Sequence, residues 1–496
     1  MSNLSDLLPA GGSGKTVELV ASGALANGDT VILQSDGTVT KVLGIGPFSE
    51  NMSAGSATFD SGSVAEVCVA FDPNNTGKFV VAFQDGNNSS SGTAIVGAVS
   101  GTTLSFGSTY TFNTGTTSVK TIAFDPNNSG KFVVGFQDQG NSSYGTTIVG
   151  TVSGTTISFG SKYVFNSSTT GYVPLAFDPN NSGKFVISFG DSGNSGKGTA
   201  IVGTVSGTTI SFGSKYVYNG NNADYSSAIA FDPNNSGKFV VLHKQANWST
   251  EGRANVGTMS GTTLSFGSEA TFTSDTIYGD PFVQFDPNTA GKFIAISRAN
   301  PNGVAVVGTV SGTTISFGSQ YTVDTITNTY VMSGGFDPDN ANEFVVAYAA
   351  GSANGNAKVG TISGTTISWG TPSTFYTGTT WGISVSFDPN SLGKFIMAIK
   401  GNAGDGITVL GQLTTTVGTS NLTSTNFIGT SEGAFADTAT ATVMLRGGIT
   451  TTQSGLTTGS KYYVQGDGTL STTPDSPSVT AGKALSVTTL LIGGSS

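Results

Sequence analysis

The chain has 496 residues, of which 71 are glycine and only 10% are charged, and its net charge is −10. This excess of negative charge argues against a nucleic-acid backbone or an anionic membrane surface as a partner. Because Cys68 is the only cysteine, no internal disulfide can form. Lysine is scarce, which disfavours long helices held by paired charges.

The N-terminal segment, residues 1–44, contains two predicted strands, at 16–20 and 29–33, with a hairpin turn at 35–38. The first nine residues lack the basic region and apolar run of a secretory signal. No stretch has the length and apolar character of a membrane span. An extracellular type of composition without an export signal is expected of a virion protein, which is made in the host cytoplasm and released by lysis.

From residue 45 onwards one phrase recurs seven times, and its first copy is Ala-Phe-Asp-Pro-Asn-Asn-Thr-Gly-Lys-Phe at 70–79. The first phenylalanine of the phrase recurs every 51 to 54 residues, at Phe71, Phe124, Phe177, Phe231, Phe285, Phe336 and Phe387. Each repeat predicts four strands separated by Pro, Asn and Gly turns. In the second repeat they lie at 121–124, 131–136, 146–152 and 155–165. A period near 50 with this composition is typical of β-propeller blades.

The seventh repeat lacks a fourth strand, because the Ser-Gly-Thr-Thr phrase that begins this strand elsewhere is missing after residue 413. The missing phrase has a counterpart upstream of the first repeat. Phe59 lies 12 residues before Phe71, just as Phe165 lies 12 before Phe177. We therefore predict an all-β fold with a seven-bladed propeller at 45–422, closed by an N-terminal strand from residues 47–60.

Residues 423–496 contain further predicted strands at 441–445, 461–464 and 483–491, with a hairpin turn at 466–468. Closure of the propeller would bring residues near 44 and 423 together. We therefore predict that 1–44 and 423–496 form one small β domain, into which the propeller is inserted.

Both terminal segments carry a resemblance. The segment at 28–39, Gly-Asp-Thr-Val-Ile-Leu-Gln-Ser-Asp-Gly-Thr-Val, together with residues 455–472, is similar to terminal modules of tailed-phage structural proteins, notably marine phage fibres and other appendages. The repeated phrase resembles the first hairpin of bacterial propeller repeats, where Phe-Ser-Pro-Asp-Gly-Lys is usual. The first resemblance implies a location in the virion and contacts with other virion proteins through the small domain. It assigns no functional residues.

Two patterns are weak signals for a bound group. Gly14-Lys15-Thr16 ends like a phosphate-binding loop, but Pro9 stands where the first glycine is required. The segment at 72–77 matches the first half of a calcium loop, yet Phe83 replaces its closing glutamate. A turn stabilised by Asp and Asn side chains explains every copy equally well. We expect no cofactor and no metal, with calcium at these turns as the remaining alternative.

Catalytic patterns are equally weak. His243, the only histidine, aligns with phenylalanines of the second strand in other repeats, which favours a packed side chain. Paired carboxylates can cleave glycosides, and the candidates for such a pair are Asp224, Asp275, Asp280 and Asp324. No motif links these four residues, and we predict that the chain is not an enzyme.

The connections between the second and third strands, and those leading into the next repeat, vary in length and chemistry, as recognition loops do. Aromatic residues stand five to seven positions before the repeat phenylalanine in five repeats: Tyr172, Tyr225, Tyr278, Tyr330 and Trp381. They could stack on sugar rings near the mouth of a central channel. Alternatively, they fill the channel or hold the loops. Tyr144, Trp248 and Arg253, placed by the sequence in the other variable loops, would extend the surface.

These observations predict a phage virion structural protein, a tail fibre or a capsid or tail appendage, whose propeller binds a host-surface glycan or receptor. Its partners would be that glycan or receptor and other virion proteins. A homo-oligomer is compatible with this prediction, because many copies strengthen weak binding. The alternatives are a secreted bacterial adhesin or lectin and a glycan-cleaving propeller enzyme.

Overall fold

The structure, a computed structural model, describes residues 15–34, 36–42, 49–222, 227–244, 251–299, 302–325, 332–349, 354–414, 422–465, 468–474 and 478–493. Within these ranges the regular elements are β-strands, apart from the 3-10 turns Gln139–Asn141 and Ser192–Asn194. The predicted all-β class is therefore confirmed. No helix in the described ranges is long and apolar enough to cross a membrane.

The chain forms two compact units. Unit 1 combines Met1–Ser49 with Thr414–Ser496, and unit 2 is Glu50–Leu413. The first strands of unit 1 are β1 (Thr16–Val20), β2 (Thr30–Leu33) and β3 (Val39–Lys41).

Unit 2 contains the seven repeats. Its strands up to the third repeat are β4 (Ser49–Asp60), β5 (Val64–Phe71), β6 (Lys78–Asp85), β7 (Ser91–Ser100), β8 (Thr103–Asn113), β9 (Thr117–Phe124), β10 (Lys131–Asp138), β11 (Tyr144–Ser153), β12 (Thr156–Gly171), β13 (Leu175–Phe177), β14 (Lys184–Asp191), β15 (Lys197–Ser206) and β16 (Thr209–Asn222). The fourth and fifth repeats supply β17 (Ser227–Phe231), β18 (Lys238–Lys244), β19 (Gly252–Ser260), β20 (Thr263–Phe266), β21 (Ala270–Thr273), β22 (Phe282–Phe285), β23 (Lys292–Ala299), β24 (Asn302–Ser311) and β25 (Thr314–Thr325). The sixth and seventh supply β26 (Met332–Phe336), β27 (Glu343–Ala349), β28 (Gly355–Ser363), β29 (Thr366–Trp369), β30 (Ser373–Tyr376), β31 (Trp381–Phe387), β32 (Lys394–Lys400) and β33 (Gly406–Thr414).

Each repeat builds an antiparallel sheet in chain order, as in β5-β6-β7-β8 and β22-β23-β24-β25. The fourth strand is divided in the fourth and sixth repeats, where β20 and β21 both pair with β19, and β29 and β30 both pair with β28. The seventh repeat supplies three strands, and its sheet has the order β31-β32-β33-β4. The fourth strand of this sheet thus comes from the chain segment that precedes the first repeat.

The fourth strand of the second repeat is longer than the sequence predicted. It was expected to end at 165, but β12 continues to Gly171 and its last residues pair with β14, Thr170 lying opposite Asp191. The second and third repeats are therefore hydrogen-bonded into one continuous sheet.

The core lies between neighbouring sheets. On β10, Phe132, Val133 and Val134 are completely buried although their side chains alternate between the two faces. A strand covered on both faces explains the uninterrupted apolar run. The residue on β11 that packs against Phe132 must be glycine, because a Cβ on Gly150 would lie 2.1 Å from Cζ of Phe132.

Hydrogen bonds connect the first turns of successive repeats. In the first repeat the buried Asp72 carboxylate accepts from the Asn74 backbone N–H and from Nδ2 of Asn75, which is the predicted side-chain-stabilised turn. Nδ2 of Asn74 then donates to the Pro126 carbonyl of the second repeat at 3.2 Å. The same donor and acceptor recur in the pairs Asn127–Pro179, Asn180–Pro233, Asn234–Pro287, Asn288–Pro338 and Asn390–Pro73.

A second set of bonds reinforces the first. Oδ2 of the buried Asp178 accepts from the Gly237 backbone N–H of the following repeat at 3.0 Å. Oδ2 of Asp388, in the seventh repeat, accepts from the Gly77 N–H of the first repeat at 2.8 Å. A buried carboxylate is tolerated only when such donors compensate its lost hydration. The seventh and first repeats are thus joined by the same chemistry as sequential neighbours.

The first strands of all seven repeats line one cavity of about 520 Å³. Its wall is mostly apolar and repeats the same residue types, with Phe71, Phe124, Phe177, Phe231, Phe285, Phe336 and Phe387 beside Pro73, Pro126, Pro179, Pro233, Pro287, Pro338 and Pro389. The first strand is therefore the innermost strand of each sheet.

Unit 1 resumes with β34 (Phe427–Ser431), β35 (Thr440–Leu445), β36 (Ile449–Thr450), β37 (Lys461–Val464), β38 (Leu470–Ser471), β39 (Val479–Ala484) and β40 (Leu490–Ile492). Its two sheets have the orders β1-β35-β34-β2-β3 and β36-β40-β39-β37-β38. The first sheet joins strands from both ends of the chain, with Thr16 opposite Met444.

The predicted strand at 483–491 is wrong. β39 ends at Ala484 and β40 begins at Leu490, and the turn between them is closed by the Leu485 N–H donating to the Thr489 carbonyl at 2.8 Å. A hydroxyl bond from Ser486 to Thr489 stabilises this turn, as Ser and Thr commonly do. The turn predicted at 466–468 includes two residues, 466 and 467, that lie outside the described residues.

We expect Asp388→Ala and Asp178→Ala to lower the free energy of unfolding by similar amounts. Each leaves a buried backbone N–H without its acceptor, at a cost of about 1–3 kcal/mol. Urea denaturation of the two variants measures this. Asp178→Ala is the matched control, since it breaks the same bond between sequential repeats. A clearly smaller cost for Asp388→Ala would contradict equivalent contacts between the last and first repeats.

Candidate ligand-binding face

Three of the predicted aromatic residues lie in the connections leading into first strands. Tyr172 lies between β12 and β13, Tyr278 between β21 and β22, and Trp381 is the first residue of β31. Tyr278 is 42% exposed and Trp381 51% exposed, which leaves large parts of both rings open to solvent. Tyr172 is half-buried. Tyr225, Trp248 and Tyr330 lie outside the described residues.

A cationic side chain lies over the ring of two of these aromatic residues, and a third cation is paired with Trp381 in strand register. Nζ of Lys120 is 5.2 Å from the ring centroid of Tyr172. The guanidinium carbon of Arg298 is 5.5 Å from the ring centroid of Tyr278, whose backbone N–H donates to the Arg298 carbonyl. Both distances are within the range of cation–π attraction.

The third pair is set by strand register. Trp381 on β31 lies directly opposite Lys400 on β32, and directly opposed residues of an antiparallel pair project from the same face. These cations were not predicted from the sequence. Arg298 and Lys400 align with Gln84 of the first repeat, which donates to the Thr117 carbonyl. The change from Gln to Arg or Lys near the end of the second strand is the sequence signal that could have indicated these cations.

A carboxylate completes the group around Tyr172. Glu66 on β5 has a left-handed backbone, with φ of 52°. Its carboxylate is 2.9 Å from Nζ of Lys120 and accepts a hydrogen bond from the Ser118 hydroxyl. A left-handed non-glycine residue costs backbone energy and often marks a functional position. Together these groups offer a stacking surface, hydrogen-bond donors and an acceptor, which are the contacts a sugar ring requires.

Two predicted loop residues lie in strands instead. Tyr144 opens β11 and Arg253 is the second residue of β19. Strand pairing extends to both, because Tyr144 lies opposite Asp138 and Arg253 lies opposite His243.

The guanidinium of Arg253 is engaged within its own repeat. It donates to the Thr271 hydroxyl at 2.6 Å and to the carboxylate of Glu251. A second carboxylate, that of Glu269, lies 3.7 Å away. These contacts hold Arg253 in place beside β18 and β21.

His243 is completely buried on β18, as its alignment with phenylalanines predicted. Nδ2 of Asn255 donates to the Gly267 carbonyl, so Oδ1 of Asn255 faces Nε2 of His243 at 3.0 Å. This orientation assigns the ring proton to Nε2, leaving Nδ1 to accept from Asn219 at 3.2 Å. Burial lowers the pKa of His243 to about 4, so the ring is neutral at pH 7.

Two of the four candidate catalytic carboxylates accept hydrogen bonds from different side chains. Asp275 accepts from the Gln320 amide at 2.8 Å, and Asp324 accepts from the Tyr348 hydroxyl at 2.6 Å. Burial raises the pKa of the Cys68 thiol to about 12; the negative charges of Glu66 and Asp280 add to this, and the charge of Lys120 opposes it. Asp224 lies outside the described residues. Among the residues that are described, no three His, Cys, Asp or Glu side chains cluster to hold a metal ion.

No protein-family model and no curated protein matches the chain. Solved structures that match the chain include Saccharomyces cerevisiae Sqt1, at 10% identity and a TM-score of 0.45 over 73% of this chain and 99% of that one. The Dos1 propeller is 13% identical, with a TM-score of 0.46 over 73% and 96% of the two chains. AofleA from Arthrobotrys oligospora is 9% identical, with a TM-score of 0.44 over 67% and 95%. Identities this low carry no information about function.

We expect stability to fall on acidification in the wild-type protein more than in His243→Phe. Between an unfolded pKa of about 6.5 and a folded pKa of about 4, the unfolded chain binds a proton that the folded chain does not. Stability is therefore lost as pH falls through this window, by about 2 kcal/mol from pH 7 to about pH 5.

Urea denaturation at the two pH values measures the difference. Phenylalanine is the residue found at the aligned positions Phe83, Phe136 and Phe189, so the substitution fits the strand while removing the titrating group. An equal pH dependence in both proteins would contradict a buried neutral His243.

Proposed function

We propose that this chain is a structural protein of a tailed-phage virion, in a tail fibre or a capsid or tail appendage, and that unit 2 is a closed seven-bladed propeller that binds a host-surface glycan or receptor. Three observations support the closed propeller. β4 occupies the fourth position of the seventh sheet, Asn390 bonds to Pro73, and all seven repeats line one cavity.

The observation that carries the binding role is that Tyr172 and Tyr278 each have a cation over the ring and that Trp381 is paired with Lys400 in strand register. Strands alternate in direction within a sheet, so these connections lie at the edge opposite to the Asp-Asn turns. The turns are fixed by hydrogen bonds between repeats. The residues of the connections at the opposite ends of the strands are therefore free to vary in chemistry. Aromatic rings with neighbouring lysine or arginine side chains are suited to stacking on a sugar and bonding its hydroxyls.

Unit 1 would attach the protein to the particle. The proposal rests on the similarity of residues 28–39 and 455–472 to terminal modules of phage structural proteins. Many copies on one particle would convert weak stacking at single sites into firm attachment.

We expect Tyr278→Ala with Trp381→Ala to weaken binding to host cells or to immobilised host glycan by about tenfold, because each stacked ring contributes about 0.5–1.5 kcal/mol. Both rings are largely exposed, so the variant should keep the wild-type melting temperature. Val164→Ala with Val217→Ala is the control, since these side chains are 43% and 45% exposed on outer strands. Unchanged binding by the folded aromatic variant would exclude these rings as the binding surface.

Two further measurements separate the classes of function. Mass spectrometry of purified particles should detect the chain, whereas a secreted adhesin would be found in the medium without particles. Incubation with host polysaccharide should release no shortened products. Cleavage that is abolished by Asp275→Asn or Asp324→Asn would identify an enzyme instead.

A further inference from the structure

A row of four exposed side chains crosses the second sheet of unit 1. Lys461 on β37 lies directly opposite Lys483 on β39, Lys483 lies opposite Leu491 on β40, and Leu491 lies opposite Ile449 on β36. Both lysines are exposed, and Leu491 and Ile449 are 37% and 51% exposed. One half of the row is therefore cationic and the other half apolar.

The row borders a cleft of about 520 Å³. Glycines supply much of its lining, at Gly447, Gly459, Gly482 and Gly493, beside Lys461, Lys483 and Leu491. The ammonium group of Lys15 lies next to Gly447, one of the glycines that line the cleft. A Cβ on Gly447 would lie 2.5 Å from Nζ of Lys15. Unit 1 has five basic residues, Lys15, Lys41, Arg446, Lys461 and Lys483. Two of them line the cleft, and a third, Lys15, lies beside one of the glycines that line it.

This arrangement is unfavourable in the isolated protein. Like charges directly opposite each other on neighbouring strands repel and destabilise a sheet. Nζ of Lys461 lies 4.9 Å from the Tyr463 ring centroid, which orients the ammonium without neutralising it. In the part of the chain that the structure describes, the ion pairs involve other lysines and arginines, and none includes Lys15, Lys461 or Lys483. Within the described residues the lysines of the row form no ion pair, so their charges are available to an acidic partner.

We propose that this cleft binds an extended acidic segment of a partner protein, with carboxylates on Lys461 and Lys483 and an apolar side chain on Leu491 and Ile449. This proposal specifies how unit 1 would perform the anchoring role proposed above. The claim that the partner is another virion protein rests on that proposed role. The apolar half of the row favours a protein segment over a small inorganic anion. Leu485 and Val487, in the turn between β39 and β40, are also exposed.

Strand spacing sets the length of the segment. Three steps of about 4.8 Å between strands give a row of about 14 Å, and side chains on one face of an extended segment are about 6.8 Å apart. Three side chains of a five-residue segment therefore span the row, in the order carboxylate, carboxylate, apolar group.

The test uses the full-length chain and two labelled peptides, Glu-Thr-Glu-Thr-Leu and its reverse Leu-Thr-Glu-Thr-Glu, with blocked ends. Fluorescence anisotropy should show saturable binding of at least one peptide. Gln in place of both Glu residues, or Ser in place of Leu, should each weaken binding at least fivefold. Lys461→Gln with Lys483→Gln should weaken it at least tenfold, whereas the control Lys41→Gln with Lys197→Gln, which removes the same charge elsewhere, should not.

Four results would overturn the proposal. The first two concern the peptides: neither peptide binds, or the peptide with Ser in place of Leu binds as tightly as the original. The other two concern the Lys461→Gln, Lys483→Gln variant: it melts at a lower temperature than the control, or it dissociates a dimer that the wild-type chain forms. The third result would mean that the lysines are structural, and the fourth that a second copy occupies the cleft.

Glycan binding is measured on the same variant. We expect it to be unchanged, because the aromatic residues belong to unit 2. If the variant loses peptide binding but keeps glycan binding, the result tests the cleft alone. If the wild-type protein does not bind glycan, the result tests the proposed receptor role alone.

Discussion

The buried aspartate at the first turn of each repeat is the constraint on which unit 2 depends. A carboxylate such as Asp178, withdrawn from water, must receive hydrogen bonds or it destabilises the fold. The Asn180 backbone within its own turn and the Gly237 N–H of the following repeat supply them. One ionised group therefore fixes both the shape of a turn and the distance to the next repeat. Apolar contacts between sheets add stability, but they have no comparable directionality.

Because of this constraint, the turns at one end of the strands and the connections at the other end have different roles. Residues at the turns are fixed by hydrogen bonds between repeats, so their identity hardly varies along the chain. Residues at the other edge carry no such requirement, and there the chain places the exposed rings of Tyr278 and Trp381, the left-handed Glu66 and the neighbouring cations. A rigid scaffold with variable connections is the usual arrangement of binding proteins.

Much of the fold was predictable because it depends on local patterns. The recurring Phe-Asp-Pro-Asn phrase marks both the repeats and their first turns, and uninterrupted apolar strands indicate burial on both faces. The break between β39 and β40 was missed because its turn consists of Leu, Ser, Val and Thr residues, without the Gly or Pro that marks most turns. The groups around Tyr172 were missed for a different reason. Lys120 and Glu66 belong to two other repeats, and no pattern within one repeat reveals which residues of its neighbours it meets.

One seam between repeats differs from the rest. The sixth repeat carries Asp339 where the other six have Asn, and an ionised carboxylate cannot donate to the Pro389 carbonyl. Its Oδ2 instead accepts from the Gly393 N–H at 3.2 Å. Asp337 in the same turn has a raised pKa, chiefly because it is buried. Because the folded chain holds the Asp337 proton more tightly than the unfolded chain does, this turn contributes more stability as the pH falls. Acid therefore favours the one seam that lacks the Asn–Pro hydrogen bond.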